Sequence, residues 1–388
     1  MNTDTRNIQF RRTVELPTGE ITVEVHESLM PLDELCGFAA RRNPKRGFLF
    51  VSKVLGKHMP VRPSLMLSVH EKLARQIPVD LPGPVVVIGM AETATCLGQG
   101  VFEAFKVLSG REDLVFIHST RYRVNRPAAL EFLEEHSHAA DHIMYMPEGE
   151  RARELFEHAR SLVLVDDEAS TGKTFVNLTT AFKERIPSLA QVVTAVITDW
   201  RGPARTEATL AAMPVPTRTI AVLKGEYQFA AAAGLKHMEM PKVTGDDGLK
   251  DALLPRNHGR LGTTEALALA PHLVRQAQAL ARETEGGKVL VLGTGEFSFP
   301  PFRLALYLEQ LGVDVLYQTT TRSPIIAAPD SAIACGMTFQ DNYEDGIPNF
   351  LYNVSPGQYQ QVLIAHETPT ETIDPALVEA LAAKTVEI

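Results

Sequence analysis

Residues 162–174 read LVLVDDEASTGKT and carry most of the information about the fold. Residues 162–165 are apolar without alternation, which is typical of a strand buried on both faces of a parallel sheet. Two adjacent carboxylates, Asp166 and Asp167, follow directly, and a loop of small residues then leads into a helical pattern. The segment therefore predicts a strand, a polar loop and a helix in an α/β protein.

The same alternation of short apolar runs and helical patterns extends over most of the chain, which predicts a parallel sheet flanked by helices. The predicted strands are residues 85–88, 114–117, 162–165, 192–197, 289–292 and 313–318. Helices are expected from about residue 95 and over residues 265–285, the second interrupted or kinked at Pro271. Periodicity is lost between residues 236 and 264. We place a boundary there and predict domains of residues 1–250 and 251–388.

Composition limits the class of protein. A chain of 388 residues suits two domains, and its 45% hydrophobic and 22% charged residues are ordinary for globular proteins. The net charge of −9 argues against nucleic-acid binding through the overall field. The first fifteen residues lack the apolar core of a signal peptide, and no apolar run reaches membrane-spanning length. Cys36, Cys96 and Cys335 are few and far apart, which argues against a disulfide framework. We expect a soluble, cytoplasmic protein.

The loop at residues 169–174 has the chemistry of an anion site, because backbone amides and hydroxyls at a helix start attract negative groups. Two carboxylates beside it would repel a bare anion, so they indicate sugar hydroxyls or a Mg²⁺ carried by a polyphosphate. A P-loop is excluded because Asp167 stands where its first glycine belongs, and a dinucleotide fingerprint lacks its glycines. A simple helix cap explains the small polar residues but leaves the two acids at the end of a buried strand unexplained.

This segment resembles the 5-phosphoribosyl-1-pyrophosphate (PRPP) signature of type I phosphoribosyltransferases, in which four hydrophobic residues, two acids, a short loop and Thr-Gly precede a helix. The resemblance implies that Asp166 and Asp167 bind the ribose 2′ and 3′ hydroxyls, with Mg²⁺ nearby. It assigns the 5′-phosphate to Ala169, Ser170, Thr171, Gly172, Lys173 and Thr174. Purine-salvage members place an aspartate base where this chain has Ser170, so the resemblance does not extend to purine salvage through that base.

The family also has a pyrophosphate loop after its first core strand and a mobile lid after its second. The first position is occupied here by Met90, Ala91, Glu92 and Thr93. Glu92 either contacts the ligand or serves as a carboxylate at a helix start. Arg121 lies at the beginning of the lid, where we expect it to neutralise pyrophosphate during catalysis. For Arg123 and Arg126 the same role and a solvated basic loop both remain open.

Several cations surround aromatic residues between residues 41 and 53, and such a cluster in an acidic protein suggests an anionic ligand. Type I enzymes use a variable N-terminal hood to select the acceptor, so this segment is the candidate hood. A surface patch over core aromatics is the alternative. The loop after the fourth predicted strand is a second candidate for acceptor contact. The acceptor candidates are Lys45, Arg46, Phe48, Lys53, Trp200 and Arg201.

Four further motifs look like the two-domain phosphoribosyltransferases associated with tellurium-resistance stress operons, whose second domain is named for Thr-Arg-Ser-Pro. They are NPKR at 43–46, GTGEF at 293–297, TRSP at 321–324 and DNYEDG at 341–346. The resemblance implies a Mg²⁺-dependent enzyme that uses PRPP to make a nucleoside-like metabolite from small-molecule substrates. It leaves open the acceptor and the type of bond, and it suggests a homodimer.

Two other functions remain as alternatives. Some relatives of type I enzymes are regulators, so a protein that binds PRPP or a nucleotide without turnover is the main one. A nicotinamide enzyme using Gly293 and Gly295 is disfavoured, because Ser298 replaces the third glycine of the fingerprint.

The second domain reads as a degenerate copy of the first. VVVIGMAE at 85–92 parallels VLVLGTGE at 289–296, and Thr120-Arg121 parallels Thr321-Arg322. The diacid corresponds to Ala365-His366, with no Thr-Gly loop after it, so this copy should not bind PRPP in the usual way. We predict a second sheet with related strand order. Its candidate site residues are Glu296, Phe297, Thr321, Arg322 and Ser323.

Overall fold

The computed structural model describes residues 6–41, 46–132, 142–232, 248–284 and 286–388. The first part contains, in chain order, β1 (Arg6–Leu16), β2 (Gly19–Ser28), α1 (Leu32–Leu35), β3 (Cys36–Arg41), β4 (Phe48–Ser52), α2 (Pro63–Ala74), β5 (Val85–Gly89), α3 (Thr95–Ser109), β6 (Leu114–His118), β7 (Ala128–Phe132), β8 (His142–Tyr145), α4 (Glu150–Glu157), β9 (Ser161–Ala169), α5 (Lys173–Arg185), β10 (Gln191–Asp199), α6 (Gly202–Ala212) and β11 (Thr217–Ala231). The second part contains α7 (Pro271–Glu283), β12 (Lys288–Gly293), α8 (Phe299–Gln310), β13 (Asp314–Thr319), β14 (Ile325–Ile326), β15 (Gly336–Gln340), β16 (Pro348–Tyr352), β17 (Gln361–His366), α9 (Pro375–Leu381) and β18 (Lys384–Glu387).

The first part is organised around a seven-stranded sheet in the order β1-β2-β11-β10-β9-β5-β6. Strands β11, β10, β9, β5 and β6 run parallel to one another, while β2 pairs antiparallel with both β11 and β1 at the edge of the sheet. Helices α2 and α3 contact this parallel section. The expected α/β fold is confirmed, and all four strands predicted in the first half are present. The antiparallel edge formed by β1 and β2 was not predicted from the sequence.

The second part contains a four-stranded parallel sheet in the order β13-β12-β17-β18. The equivalent strands of the first sheet have the same order, β6-β5-β9-β10. In each part an antiparallel hairpin follows the second strand of the parallel set: β7 with β8, and β15 with β16. The predicted related strand order is therefore confirmed, and the correspondence extends to a hairpin that the sequence did not reveal.

The helix predicted over residues 265–285 is shorter than expected. Helix α7 begins at Pro271 and ends at Glu283, and residues 265–270 are not helical. Proline has no amide hydrogen to donate to a preceding turn, so it suits the first turn of a helix rather than its interior. The proline that was expected to interrupt the helix therefore marks its start.

The two parts share packing. Met66 of α2 and Cys96 of α3 belong to the same buried cluster as Phe302 of α8 and Tyr317 of β13. In addition, β14 pairs antiparallel with β3, so one small sheet contains strands from both parts. The placement of the domain boundary at residue 250 stays a prediction. Within the described residues, no helix combines the length and apolar character needed to cross a membrane.

Candidate active site

The diacid lies at the carboxyl end of β9, between β5 and β10. This is the edge of a parallel sheet where ligands bind in open α/β folds. Asp166 and Asp167 are half-buried, and the Asp167 amide donates a hydrogen bond to Asp166 Oδ1 at 2.9 Å. The Met90 amide donates to the carbonyl of Val165 at 3.1 Å, so the loop after β5 begins beside the diacid. Two predicted site segments, far apart in sequence, therefore meet at one sheet edge.

The predicted phosphate loop joins β9 to α5. Ala169 ends the strand, and Gly172, with a φ of +77°, precedes the first helical residue, Lys173. The positive φ favours glycine because other residues rarely adopt this backbone conformation. The 13-residue helix α5 therefore begins directly after this turn, at the same end of β9 as the diacid. This arrangement combines helix-terminal amides with the hydroxyls of Ser170, Thr171 and Thr174, which suits an anion.

The loop after β5 is tied to the diacid and to a buried cation. Thr93 Oγ1 donates to Asp167 Oδ1 at 2.9 Å, and the Ala91 amide donates to Ser119 Oγ at 2.9 Å. Glu92 is 9% exposed, and its Oε1 lies 2.6 Å from Lys57 Nζ. Burial alone would raise the pKa of Glu92, but the charges of Lys57 and Arg322 outweigh it and hold that pKa below its ordinary value. Glu92 is thus paired with cations of the protein in this structure.

The candidate lid starts immediately after β6. The Arg121 amide donates to Glu296 Oε1 at 2.8 Å, which places the beginning of the lid against the second domain. Arg126 is exposed and pairs with Glu148 at 2.7 Å. Arg123 lies 3.6 Å from Glu131. These two ion pairs agree with a solvated basic loop at Arg123 and Arg126. Residues 133–141 of the candidate lid lie outside the described residues.

An ion pair joins the candidate hood to the strand that carries the diacid. Arg46 Nη2 lies 2.6 Å from Glu168 Oε1, and its guanidinium carbon is 4.7 Å from the ring centre of Phe48. Burial raises the pKa of Glu168, and the Arg46 charge opposes that shift. Lys53 instead donates to the carbonyl of Asp33 at 2.9 Å. Lys45 and the NPK portion of the NPKR motif lie outside the described residues.

Trp200 and Arg201, which were predicted to contact an acceptor, are both buried in the structure. Trp200 is 0% exposed, and its indole stacks on Phe50 with ring centres 4.6 Å apart. The indole therefore packs against the buried side of the hood. The Arg201 side chain is also fully buried. It forms an ion pair with Asp199, donating from Nε at 2.8 Å and from Nη2 at 2.6 Å. Its Nη1 makes no hydrogen bond within the described residues and lies 3.2 Å from the position of a Cβ built on Gly172. Arg201 therefore lies behind the phosphate loop.

The second-domain candidates divide into two groups. Glu296 and Arg322 reach the first domain: Glu296 accepts from Thr120 Oγ1 at 2.5 Å, and Arg322 Nε lies 3.9 Å from Glu92 Oε2. The other three make contacts within the second part or the segment that leads into it. The Phe297 ring lies 4.8 Å from that of His258, the Thr321 amide donates to the Phe350 carbonyl, and the Ser323 amide donates to Thr321 Oγ1.

Sequence reasoning missed Lys57 and Tyr122. Lys57 follows the cationic segment at residues 41–53 and was not assigned to the site from the sequence. Tyr122 follows Arg121 directly, and its hydroxyl accepts a 2.7 Å hydrogen bond from Arg322. A lysine and a tyrosine that are each at most 3% exposed are detectable only once burial is known.

Comparison with known proteins identifies the class of this fold. A phosphoribosyl transferase family model matches residues 35–226, and a model of the TRSP domain that follows this transferase matches residues 257–381. The protein is therefore a phosphoribosyltransferase-fold protein by class. The chain belongs to the family in which a phosphoribosyl transferase domain is followed by a TRSP domain. No curated protein matches the chain.

Solved phosphoribosyltransferases resemble part of the chain at low identity. Adenine phosphoribosyl transferase from Trypanosoma brucei, in complex with AMP, pyrophosphate and ribose-5-phosphate, is 12% identical, with 49% of this chain and 77% of that chain covered and a TM-score of 0.33. Orotate phosphoribosyltransferase from Aeropyrum pernix is 17% identical, with 45% and 79% covered and a TM-score of 0.27. Hypoxanthine phosphoribosyltransferase from Staphylococcus aureus is 15% identical, with 43% and 79% covered and a TM-score of 0.25.

Proposed function

We propose that this protein transfers the 5-phosphoribosyl group from PRPP to a small-molecule acceptor and releases pyrophosphate. One observation carries the proposal: the diacid, the phosphate loop and the loop after β5 meet at one sheet edge, joined by the hydrogen bond from Thr93 to Asp167. The two carboxylates are suited to bind sugar hydroxyls, and each of the two loops beside them is suited to bind an anion. This arrangement fits a phosphorylated sugar that carries a second anionic group. The transferase family match supports the same class of reaction.

In the proposed reaction the bond from C1′ to the pyrophosphate oxygen breaks, and its electron pair leaves with pyrophosphate. An electron pair of the acceptor forms the new bond to C1′, and the acceptor releases its proton to solvent. Asp166 and Asp167 orient the ribose through its hydroxyls, while the amides of residues 169–174 hold the 5′-phosphate. Binding at these remote groups positions C1′ for attack, so no side chain needs to act as a nucleophile.

Mg²⁺ fits this site by donor chemistry, because adjacent carboxylates and phosphate oxygens are the ligands that it prefers. When bound, it would neutralise charge on the departing pyrophosphate. Arg121 is proposed to neutralise pyrophosphate from the lid, and residues 90–93 to contact it through the loop. Arg201 is assigned to the support of the phosphate loop rather than to the acceptor, because its side chain is buried behind Gly172.

The acceptor is proposed to enter beneath the hood. Arg46 is the strongest candidate contact, since it joins the hood to the strand that carries the diacid. Phe48 is only 3% exposed and lies beneath the Arg46 guanidinium, so its proposed contribution is to support that side chain. Lys45 and Lys53 stay candidates for binding an anionic group of the acceptor. A homodimer, the synthesis of a nucleoside-like metabolite and a role in tellurium stress also stay predictions.

The double variant Asp166→Asn, Asp167→Asn tests the proposal, with exposed Asp80→Asn as the matched control. Wild-type protein, PRPP and Mg²⁺ are incubated with pooled cell metabolites, and phosphoribosyl addition is detected as a mass shift together with pyrophosphate release. We expect the double variant to lose at least about a hundredfold in rate, because it removes the groups that orient the reacting sugar. Unchanged release by a folded double variant would contradict the proposal. PRPP binding without any release by the wild-type protein would favour the regulatory alternative.

A further inference from the structure

The two domains repeat one another at the level of individual hydrogen bonds. In the first domain, the loop after β5 donates from the Ala91 amide to Ser119 Oγ at 2.9 Å. In the second, the loop after β12 donates from the Gly295 amide to Thr320 Oγ1 at 2.9 Å. The residue after each hydroxyl pairs with its hairpin in the same way: Thr120 exchanges two backbone bonds with Ile143, and Thr321 exchanges two with Phe350. The repeat thus includes the loop that is proposed to bind pyrophosphate.

The repeated loops face each other across the domain junction. Each ends in a buried glutamate, Glu92 in the first domain and Glu296 in the second. Glu296 reaches the Thr-Arg pair of the first domain, accepting from Thr120 Oγ1 at 2.5 Å and from the Arg121 amide at 2.8 Å. Glu92 points towards the Thr-Arg pair of the second domain, with Oε2 lying 3.9 Å from Arg322 Nε. The contacts are therefore approximately reciprocal.

Contacts other than the one with Glu92 fix the position of the Arg322 side chain. Its Nη2 donates to Asp345 Oδ2 and to the Tyr122 hydroxyl, both at 2.7 Å, and its guanidinium carbon lies 5.0 Å from the Tyr122 ring centre. Its side chain is only 12% exposed. A guanidinium fixed in this way forms a preorganised contact, because little side-chain entropy remains to be lost.

A second cation ties the same loop to the second domain. Lys57 Nζ lies 2.6 Å from Glu92 Oε1 and donates to the carbonyl of Gly295 at 3.0 Å. Lys57 therefore bridges the two repeated loops, and Glu92 lies between a cation from each domain. Moving the second domain would remove one charge from a buried carboxylate, which is costly at a site with so little solvent.

We infer that the second domain acts as a built-in partner that positions the pyrophosphate loop, with Arg322 acting on that loop through Glu92. Arg322 is a positioning residue in this scheme, and pyrophosphate itself is bound by the first domain. This inference rests on the proposed function. It assigns the Thr-Arg-Ser-Pro motif the task of holding the pyrophosphate loop in its binding conformation.

The test measures binding of two probes by isothermal titration calorimetry: pyrophosphate with Mg²⁺, and ribose 5-phosphate, which would use the diacid and phosphate loop. Arg322→Ala should weaken pyrophosphate binding about tenfold or more and leave ribose 5-phosphate binding within about twofold. Arg322→Lys, which keeps the charge, should recover part of the loss. The matched control is Arg303→Ala, which removes another ion pair between the domains, Arg303 with Glu103 at 3.0 Å, at α8 and α3 rather than at the loop. It should leave both affinities nearly unchanged.

A double-mutant cycle with Glu92→Gln tests whether the effect of Arg322 on pyrophosphate binding is transmitted through Glu92. If Arg322 acts through Glu92, Arg322→Ala should have a smaller effect in the Glu92→Gln background than in the wild type. If Arg322→Ala does not fold, Arg322→Lys and Glu92→Gln carry the test, and both should weaken pyrophosphate binding selectively.

The outcomes separate this inference from the proposed function. Unchanged pyrophosphate binding in a folded Arg322→Ala protein overturns the inference alone. Equal weakening of both probes, or an equal effect of Arg303→Ala, also overturns it, because the cause would then be general domain docking. Failure of the wild-type protein to bind either probe overturns the proposed function and the inference with it.

Discussion

Partly or fully buried ion pairs connect parts of the site in the described part of the chain. Asp199 holds Arg201 behind the phosphate loop, and Arg46 joins the hood to Glu168. Buried pairs contribute little net stability, because the loss of hydration opposes the attraction, but removing one partner is costly. Their consequence here is geometric, since each pair sets where a loop or side chain lies relative to the diacid.

Gly172 combines a left-handed backbone conformation with close packing beside the predicted phosphate loop. A Cβ at this position would lie 2.6 Å from Thr209 Oγ1 and Cγ2, and the backbone φ is +77°. Gly110 is a matched control, with a φ of +65° and no atom within 4 Å of an added Cβ. Gly110→Ala should lower the free energy of unfolding by about 1 kcal/mol, the cost of a left-handed alanine. Gly172→Ala should cost about 1–3 kcal/mol more because the methyl group overlaps Thr209.

Urea denaturation of the two glycine variants measures this difference directly, and ribose 5-phosphate titration shows whether the phosphate loop is disturbed. We expect binding to weaken in Gly172→Ala alone. Equal unfolding free energies for the two variants would show that Thr209 yields at no cost.

At the level of elements, α2 lies where the two domains pack. His70, on this helix, is 1% exposed and packs edge-on against Phe302 of α8 with ring centres 5.3 Å apart. Its Nδ1 makes no hydrogen bond within the described residues. Burial lowers the pKa of His70 to about 3. The imidazole is therefore neutral in the folded protein at neutral pH, and the helix contact depends on its staying so.

Acidification should weaken the protein through this contact. The unfolded chain protonates His70 near its ordinary pKa of about 6.5, whereas the folded chain resists protonation until about pH 3. Stability from this group is thus complete above the unfolded pKa and is lost as pH falls, by up to about 1.4 kcal/mol per pH unit. His70→Leu should lose less stability than the wild type between about pH 6.5 and about pH 4 in urea titrations.

The control for that measurement is His272→Leu, at an exposed position on α7. It should show the same acid sensitivity as the wild type. An identical pH slope for His70→Leu and the wild type would contradict the prediction.

At the level of the whole molecule, the domains are joined by packing as well as by the chain. The buried cluster around Met66 and Phe302 contains residues from both parts, and β14 completes a sheet with β3 and β4. Separating the parts would expose this apolar surface to water and break the backbone hydrogen bonds between β14 and β3. Unfolding of one part should therefore be coupled to unfolding of the other.

Trp200 provides a direct test, because it is the single tryptophan and lies in the core of the first domain. Leu292→Ala, in the core of the second domain, should destabilise the protein by about 2–5 kcal/mol. If unfolding is cooperative, the midpoint of Trp200 fluorescence should fall together with the circular-dichroism midpoint. The control Leu311→Ala, at a position 38% exposed in the same domain, should change both midpoints little.

Separate fluorescence and circular-dichroism transitions in Leu292→Ala would show that the domains unfold independently. The same result would weaken the view of the second domain as a built-in partner, since that role requires the junction to persist.

The local pattern of residues was sufficient for the buried core strands that it predicted and for the related strand order of the second domain, but not for the antiparallel edge formed by β1 and β2. Apolar runs such as residues 162–165 can be buried on both faces only in a covered parallel sheet, so their environment is already implied by their composition. The strand–loop–helix unit that carries the diacid was also predicted, because its residues are contiguous, while the binding role of its residues stays a prediction. Local pattern was less reliable at element ends, where Pro271 started a helix that it was expected to interrupt.

Only the tertiary structure showed which distant side chains meet. It buried Trp200 under Phe50, turned Arg201 towards Gly172, and brought Lys57 and Arg322 to opposite sides of Glu92. A residue's neighbours along the chain determine the periodicity of its element and the face that it shares. They do not determine which element packs on that face. Contacts across the domain junction depend on that packing, which is why the role of the second domain could be inferred only after its loops were seen to meet those of the first.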